Sequence, residues 1–322
     1  MVDHAVEDDD NGDIFIYRGG RAPFHVTHVL IDKSVDEIEE NAFRDCSHLV
    51  QVDTHDGIRR VGEFAFYGCS SLGWINLKSV VEIDGYAFCK CGNLVSVEFG
   101  NQLETIGESA FSLCPLKHVK LPSIITIERS VFCGCICLTD IELSERLETI
   151  KRSAFLNCKS LQRIAIPLKR EMFALHQLMQ RYTQFYGCDQ LKTVYLVGGI
   201  NETIASLHME GWRTEMIAEI NRINRVLPKA FANEKAALIR QWMESLLDKM
   251  EHYKSEHYRY VKEGITLMEL ALWKAKLDEK EEYAAEGKPH KAEDAESYRR
   301  DKRIICGADV VIKNVLPFLR LE

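Results

Sequence analysis

No run of apolar side chains in this 322-residue chain approaches the ~18 needed to span a bilayer, although apolar types make up 46% of it. Residues 1–12 show no basic start followed by an apolar stretch, so no secretory signal is read there. Excess positive charge is lacking too. The formal charge is −8, and six acids (Asp3, Glu7, Asp8, Asp9, Asp10, Asp13) crowd into residues 1–13. Residues 14–199 and 200–322 are then each left at −1. Neither part carries the basic surplus of a general nucleic-acid binder. Catalytic signatures are missing as well: no phosphate-cradling glycine loop, H-E-x-x-H, G-x-S-x-G or kinase motif occurs. The expectation from these gaps is a cytoplasmic, non-enzymatic protein with no cofactor, no metal, no membrane contact and no nucleic-acid partner.

What is abundant is repetition. Phe and Cys recur three residues apart at Phe43/Cys46, Phe66/Cys69, Phe88/Cys91, Phe111/Cys114, Phe132/Cys135, Phe155/Cys158 and Phe185/Cys188. The first five Phe-to-Phe steps are 23, 22, 23, 21 and 23 residues, and the last is 30. A period in the twenties means stacked coils, each too small to bury its apolar side without neighbours.

Aligned on Phe, the coil reads I-x-x-x-A-F-x-x-C-x-x-L-x-x-I-x-L, complete in Val61, Ala65, Phe66, Cys69, Leu72, Ile75 and Leu77. Its first four apolar positions fall at 0, 4, 5 and 8, one face of a short helix. The final pair is two apart, as in a strand with one buried face. Each coil is therefore expected to be a helical turn followed by a short strand, with successive strands parallel and in register.

The segments Val61-Gly62-Glu63-Phe64-Ala65-Phe66-Tyr67-Gly68-Cys69 and Ile106-Gly107-Glu108-Ser109-Ala110-Phe111 resemble the BspA-like leucine-rich repeats, marked by I-G-x-x-A-F-x-x-C-x-x-L. The resemblance covers roughly residues 26–199. It implies an α/β solenoid, a right-handed stack of leucine-rich coils carrying a short parallel β-sheet. Members of that family are adhesins, surface antigens and uncharacterised intracellular proteins, so the resemblance implies protein binding and no narrower activity.

Departures mark the ends and the irregular coils. The fourth coil loses a residue at Cys114-Pro115-Leu116, and residues 167–181 insert about seven more, read as a helical excursion on the solenoid flank. Ile14-Phe15-Ile16-Tyr17 with Val26, Val29 and Ile31 are read as closing the N-terminal end. The expected organisation is an acidic disordered tail over 1–13, a solenoid of about seven coils plus a cap over 14–199, and a helical domain over 200–322.

Seven of the eleven Cys sit at the repeated position three after Phe and form a buried column, packing as small hydrophobes with a weak S–H donor for a turn carbonyl. Cys89-x-Cys91 and Cys133-x-Cys135-x-Cys137 come nearest to metal-ligand spacing, but zinc pairs are usually two to four residues apart with a second pair or His partners. A thiol-based metal or redox protein is the weaker alternative.

The useful surface is the strand face turned away from the core. One column there reads Gln51, Trp74, Ser96, His118, Asp140, Arg163, Thr193; the other reads Asp53, Asn76, Glu98, Lys120, Glu142, Ala165, Tyr195. These positions vary while the frame repeats, which is how solenoids present a binding surface. Trp74 and Arg163 are residue types enriched among interface hot spots. A protein partner on this face is the leading expectation.

Beyond Gly199 the period ends and helix formers dominate. Met209, Trp212, Met216, Ile220, Ile223 and Leu227 mark one helix, stopped by Pro228. Ile239, Met243, Leu246, Met250, Tyr253, His257 and Tyr260 mark a second at heptad spacing, expected to break at Gly264. Leu267 to Ala275 begin a third, and Ile304 to Val315 a last. An all-α bundle capping the solenoid is expected, with homo-oligomerisation through 239–260 as the alternative role.

Overall fold

Alternation of buried and exposed side chains draws out a strand in every coil, and the structure, a computed structural model, describes residues 14–170, 172–173, 183–206 and 209–285. The acidic stretch 1–13 and the apolar-periodic segment Ile304 to Val315 lie outside those residues. In chain order the first strands are β1 (Ile14–Tyr17), β2 (His28–Ile31), β3 (Glu37–Ile38), β4 (Gln51–Asp53) and β5 (Arg60–Val61). Next come β6 (Trp74–Leu77), β7 (Glu82–Ile83), β8 (Ser96–Phe99), β9 (Thr105–Ile106) and β10 (His118–Leu121). The series ends with β11 (Thr126–Ile127), β12 (Asp140–Leu143), β13 (Thr149–Ile150), β14 (Arg163–Pro167) and β15 (Thr193–Val197).

Each coil thus contributes two strands, a longer and a two-residue one. The longer strands pair in parallel in three runs, β1-β2-β4, β6-β8 and β10-β12-β14-β15. The short strands form a second parallel sheet, β3-β5-β7-β9-β11-β13, in which Ile38, Val61, Ile83, Ile106, Ile127 and Ile150 all point inward. The first apolar position of the repeat therefore belongs to a strand.

The expected helical turn is absent from the coils. In six coils two residues adopt left-handed backbone angles: Asn41, Phe64, Tyr86, Ser109, Ser130 and Ser153, each two before its Phe, have φ of 56–58°. Two after Phe stand Asp45, Gly68, Lys90, Leu113, Gly134, Asn157 and Gly187, again with positive φ. A right-handed helix admits no such alternation. The amides alternate as well. Ala65, Tyr67 and Cys69 donate within their own coil, to Gly62, Phe64 and Phe66 carbonyls, while Phe64, Phe66 and Gly68 donate to Gly85, Ala87 and Cys89 of the next. A helix would keep all these bonds local; the turn spends half of them on its neighbour. The 0, 4, 5, 8 spacing fits both conformations, so periodicity alone does not separate them.

The core is a dry row. All seven repeat Phe side chains are fully buried, and successive rings stack with centroids 5.0, 5.0, 5.1, 6.0, 5.7 and 5.4 Å apart and interplanar angles of 12° or less. Tyr17 of β1 closes the row, its ring 4.9 Å from Phe43. Of the inserted segment, Met172 and Phe173 are buried and Phe173 bridges Ile150 in parallel, continuing the short-strand sheet. That part is strand-like where a helical excursion was expected; the remaining positions 171 and 174–182 lie outside the described residues.

Among the described residues three helices follow: α1 (Ile200–Ala205), α2 (Glu210–Val226) and, after a 3-10 turn at Leu227–Lys229, α3 (Lys235–Ala285). Gly264 does not break α3, which runs 51 residues. Lys262 and Glu263 before the glycine and Leu267 to Leu270 after it favour a helix, and an interior Gly costs only about 1 kcal/mol relative to Ala. Contacts divide the chain into two compact units, Met1–Leu247 and Asp248–Glu322. The first unit holds the coils together with α1, α2 and the opening turns of α3.

Within that unit the helices terminate the solenoid. The last strand, β15, has no following coil to bond. The Asn224 side chain of α2 takes that place, its Oδ1 accepting from Val194 N at 2.8 Å and its Nδ2 donating to Val194 O at 3.2 Å. The turn carbonyls are closed by Lys235 at the start of α3. Its fully buried ammonium donates to Cys188, Asp189 and Leu191 carbonyls at 3.0, 2.8 and 2.8 Å. Trp242 Nε1 donates to Glu219 O at 2.8 Å, tying α3 to α2, and Ile239, Trp242, Met243 and Leu246 are buried. The first half of the heptad seam is thus used inside the chain, which removes it from the 239–260 self-association surface.

Candidate protein-binding face

The long strands carry the candidate residues, and their register sets the columns. His118 pairs with Asp140, Asp140 with Arg163 and Arg163 with Thr193; Lys120 pairs with Glu142, Glu142 with Ala165 and Ala165 with Tyr195. Trp74 pairs with Ser96 and Asn76 with Glu98, while Gln51 and Asp53 sit beside His28 and Leu30. The ladder is interrupted between β4 and β6 and between β8 and β10, so the face comprises three registered patches.

Exposure follows the alternation. Gln51, Asp53, Trp74, Ser96, Glu98, His118, Lys120, Glu142, Arg163 and Tyr195 are exposed, and Asn76, Asp140, Ala165 and Thr193 are half-buried. Opposite charges meet across strands: Lys120 Nζ lies 2.9 Å from Glu142, Lys78 Nζ 3.0 Å from Glu98, and Arg163 pairs with Asp140. Gln51 donates to Asp53 at 2.8 Å. Exposed pairs of this kind contribute about 0–1 kcal/mol each to stability, so their main consequence is a patterned surface.

At the β8/β10 interruption the face opens into a groove of about 460 Å³. Val97, Phe99, Val119 and Pro122 supply apolar lining, and Glu98, His118, Lys120, Asp140 and Glu142 supply the polar part. Only Lys117 N to Val95 O, at 3.2 Å, joins the two coils at the start of these strands. The interruption falls at the coil shortened at Cys114-Pro115-Leu116.

One part of the face escaped the sequence reading. β1 pairs with β2 in register, Ile14 beside His28 and Ile16 beside Leu30, and Ile14, Ile16 and Leu30 are exposed. Tyr17, fully buried, and Phe15, half-buried beside Val29, face inward and form the cap. The two-residue alternation of 14–17 contained this signal, but the segment's apolar character pointed to a wholly buried closure.

The thiols have a structural place. Sγ of Cys69, Cys91, Cys114, Cys135, Cys158 and Cys188 donates at 3.0–3.1 Å to the Phe carbonyl of the preceding coil, and Cys46 reaches Pro23 O at 3.6 Å. Burial pushes the Cys46 and Cys89 thiols up to about 11 and raises Cys69, Cys91, Cys133, Cys135 and Cys158 as well. A nucleophilic or metal-binding sulfur needs the thiolate, which this environment disfavours. Cys89 and Cys133 are separated by Ser112, whose hydroxyl donates to Cys133 O at 3.0 Å. Among the described residues no three His, Cys, Asp or Glu side chains are grouped as a metal site requires.

Parallel coils with Phe, Cys and Leu rows, open on one strand face, define a leucine-rich-repeat solenoid. The chain belongs to the BspA type leucine rich repeat region family, matched in six copies over residues 23–135 and 119–237. No curated protein matches it. Among solved structures it is similar to a leucine rich cell surface protein of Faecalibacterium prausnitzii, at 24% identity and TM-score 0.27, over 54% of this chain and 62% of that one. It is also similar to the leucine rich repeat protein of T. pallidum, at 22% identity and TM-score 0.38, over 65% of this chain and 88% of that one. The pneumococcal vaccine antigen PcpA matches at 20% identity and TM-score 0.34, over 55% and 52% of the two chains. No described helix is long and apolar enough to cross a membrane.

Proposed function

We propose that the chain is a non-enzymatic scaffold that binds a protein partner on the open strand face, with the helical part after residue 199 closing the solenoid. One observation carries this reading: outward side chains differ from coil to coil at registered positions, while the inward ones repeat. An invariant frame with a variable face is the form in which solenoids recognise partners. Trp74 and Tyr195, exposed at 44% and 51%, supply large amphipathic contacts, and Arg163 a planar charge. The groove between β8 and β10 adds a concave seat of mixed polarity for an inserted side chain.

An intracellular setting goes with this reading. The six short Sγ–H donations to carbonyls require reduced thiols, which a reducing compartment maintains.

Affinity purification from the native cell identifies the partner, and the variant Trp74→Ala with Arg163→Ala tests the face. Hot-spot truncations of this type cost about 2 kcal/mol or more each, so capture is expected to fall steeply at unchanged thermal stability. Undiminished capture by the double variant rejects the face.

A further inference from the structure

Two prolines follow the last inward residue of a long strand, Pro122 after Leu121 and Pro167 after Ile166. In an earlier coil the same position is Asp32, whose N–H donates to Tyr17 O of β1 at 3.0 Å and completes the parallel ladder. Proline has no N–H to give. The ladder accordingly stops short at both. β12 and β14 pair only as far as Glu142 and Ala165, and β8 and β10 do not pair at all. The Phe99 carbonyl of β8 therefore loses the donor that Pro122 would have supplied.

Val97 holds in β8 the place that Val194 holds in β15, the first inward position of the long strand. Val194 turns both its N–H and its C=O away from the coil before it, and the Asn224 carboxamide meets the two together. Val97 turns the same pair of groups toward β10, where no hydrogen bond meets them among the described residues. From β10 the Lys120 N–H and the His118 carbonyl face the same gap. Val97 is also the most open member of its row, 9% exposed against 4% or less at every equivalent position from Val29 to Val194. The charges lining the groove are already matched: Lys78 with Glu98 at 3.0 Å, Lys120 with Glu142 at 2.9 Å, and Asp140 with Arg163. What stands unmet is neutral, two N–H donors and two carbonyl acceptors.

We infer that this groove is a subsite for a primary carboxamide, the side chain of an asparagine or glutamine on the bound partner. The inference rests on the strand face being the partner surface, and it names the group that enters the groove. A carboxamide has two N–H donors and an oxygen with two lone pairs. They match the carbonyls of Val97 and His118 and the N–H groups of Val97 and Lys120. Val97, Phe99, Val119 and Pro122 supply apolar contact for the methylene stem. Asn224 already makes half of this exchange at β15, so the chain itself contains the pattern. A guanidinium brings donors only and a carboxylate acceptors only. Either would leave two of the four groups unmet and would disturb a matched charge pair on the rim.

Titration of the full chain with N-acetyl-glutamine methylamide, followed by NMR at the Val97 and Lys120 amides, tests the inference. The glutamate and methionine analogues carry the same backbone amides and isolate the side chain. Saturable shifts are expected with glutamine, at an affinity about fivefold or more above either analogue. Equal or weaker binding of glutamine overturns the carboxamide assignment. Pro122→Ser puts in place the residue found at the equivalent Ser144 and restores an N–H for Phe99 O. That variant should close the ladder, slow Val97 amide exchange and abolish the glutamine shifts; undiminished binding overturns the groove as the site. A wild-type Val97 amide that exchanges as slowly as the ladder-bonded Val119 amide is already bonded, which overturns the open site even if Pro122→Ser fails to fold. The probe needs no partner. A null titration thus sinks the subsite and leaves the strand face to the Trp74 and Arg163 variant.

Discussion

A thiol three residues after each Phe does two things at once. It fills a small apolar gap in the row, and its proton satisfies the Phe carbonyl of the coil before. The sequence revealed the column and its preference for burial; the acceptor, always one coil back, is a property of stacking. The consequence is a pH dependence whose sign follows from proton counts. An unfolded thiol ionises near pH 8.5, whereas burial raises the folded Cys46 and Cys89 to about 11 and lifts Cys69, Cys91, Cys133, Cys135 and Cys158 too. The folded state then holds protons that the unfolded state releases, so stability is complete below the unfolded value and declines as pH rises toward and past the folded ones. Lys235 acts in the opposite sense, because burial lowers its pKa and the unfolded chain binds the extra proton just below the ordinary lysine value. Several thiols outweigh one amine. Thermal midpoints followed by circular dichroism from pH 7.5 to 10.5 should fall steadily; a flat or rising profile contradicts the buried thiol row.

The turn, as an element, was misread from periodicity because spacing counts residues and not backbone handedness. Asn41 is a residue type tolerant of left-handed angles, but Ser109, Ser130 and Ser153 have no such preference, and Phe64 and Tyr86 hold the same position with bulky rings. Those two rings stack on each other, 5.1 Å apart at 9°, and the inter-coil amide bonds hold the backbone whatever side chain it bears. Gly107 marks a different constraint: an added Cβ would strike the backbone of Asp84 and Gly85 in the preceding coil. Gly107→Ala is accordingly expected to destabilise by about 1–3 kcal/mol through forced backbone movement, measurable by urea denaturation. The C-terminal closure belongs to this scale as well. Lys235→Met leaves the buried Cys188 and Leu191 carbonyls and the part-buried Asp189 carbonyl without that donor and should cost about 3 kcal/mol. Asn224→Ala removes the stand-in for a following strand and should cost about 1–2 kcal/mol. The exposed neighbour Arg225→Ala should change stability by less than about 0.5 kcal/mol. If Asn224→Ala proves equally silent, the side-chain amide does not close the sheet.

For the whole molecule, stability resides in interfaces between coils, since no coil has a core of its own. A cavity in the middle of the Phe row therefore weakens two interfaces together. Phe111, stacked on both Phe88 and Phe132 and met edge-on by Phe99 at 5.5 Å, is the most connected ring. Phe111→Ala should cost about 3–5 kcal/mol by denaturant titration, and a loss below about 1 kcal/mol would contradict a tightly stacked row. Which side chains of the candidate face point outward was legible, because alternation alone determines it, and the registered columns from Trp74 to Tyr195 follow from that alternation. Ile14, Ile16 and Leu30 were not, because an apolar residue beside a solenoid end looks the same in sequence whether it closes the core or extends the sheet. Nor was the groove, which arises where two strands fail to pair.

The sequence by itself determined the coil: its length, its inward rows of Phe, Cys and Leu, and the parallel register that such rows enforce, because apolar side chains at a fixed period have no other way to leave water. Tertiary structure alone decided what each coil does with its polar backbone. Half the turn amides, the Cys sulfhydryls and the last strand's edge all find partners one coil away or on a later helix. Hydrogen-bond partners so distant leave no periodic trace in the chain, and Asn224 and Lys235 become end-caps only when stacking has brought β15 and the last turn to them.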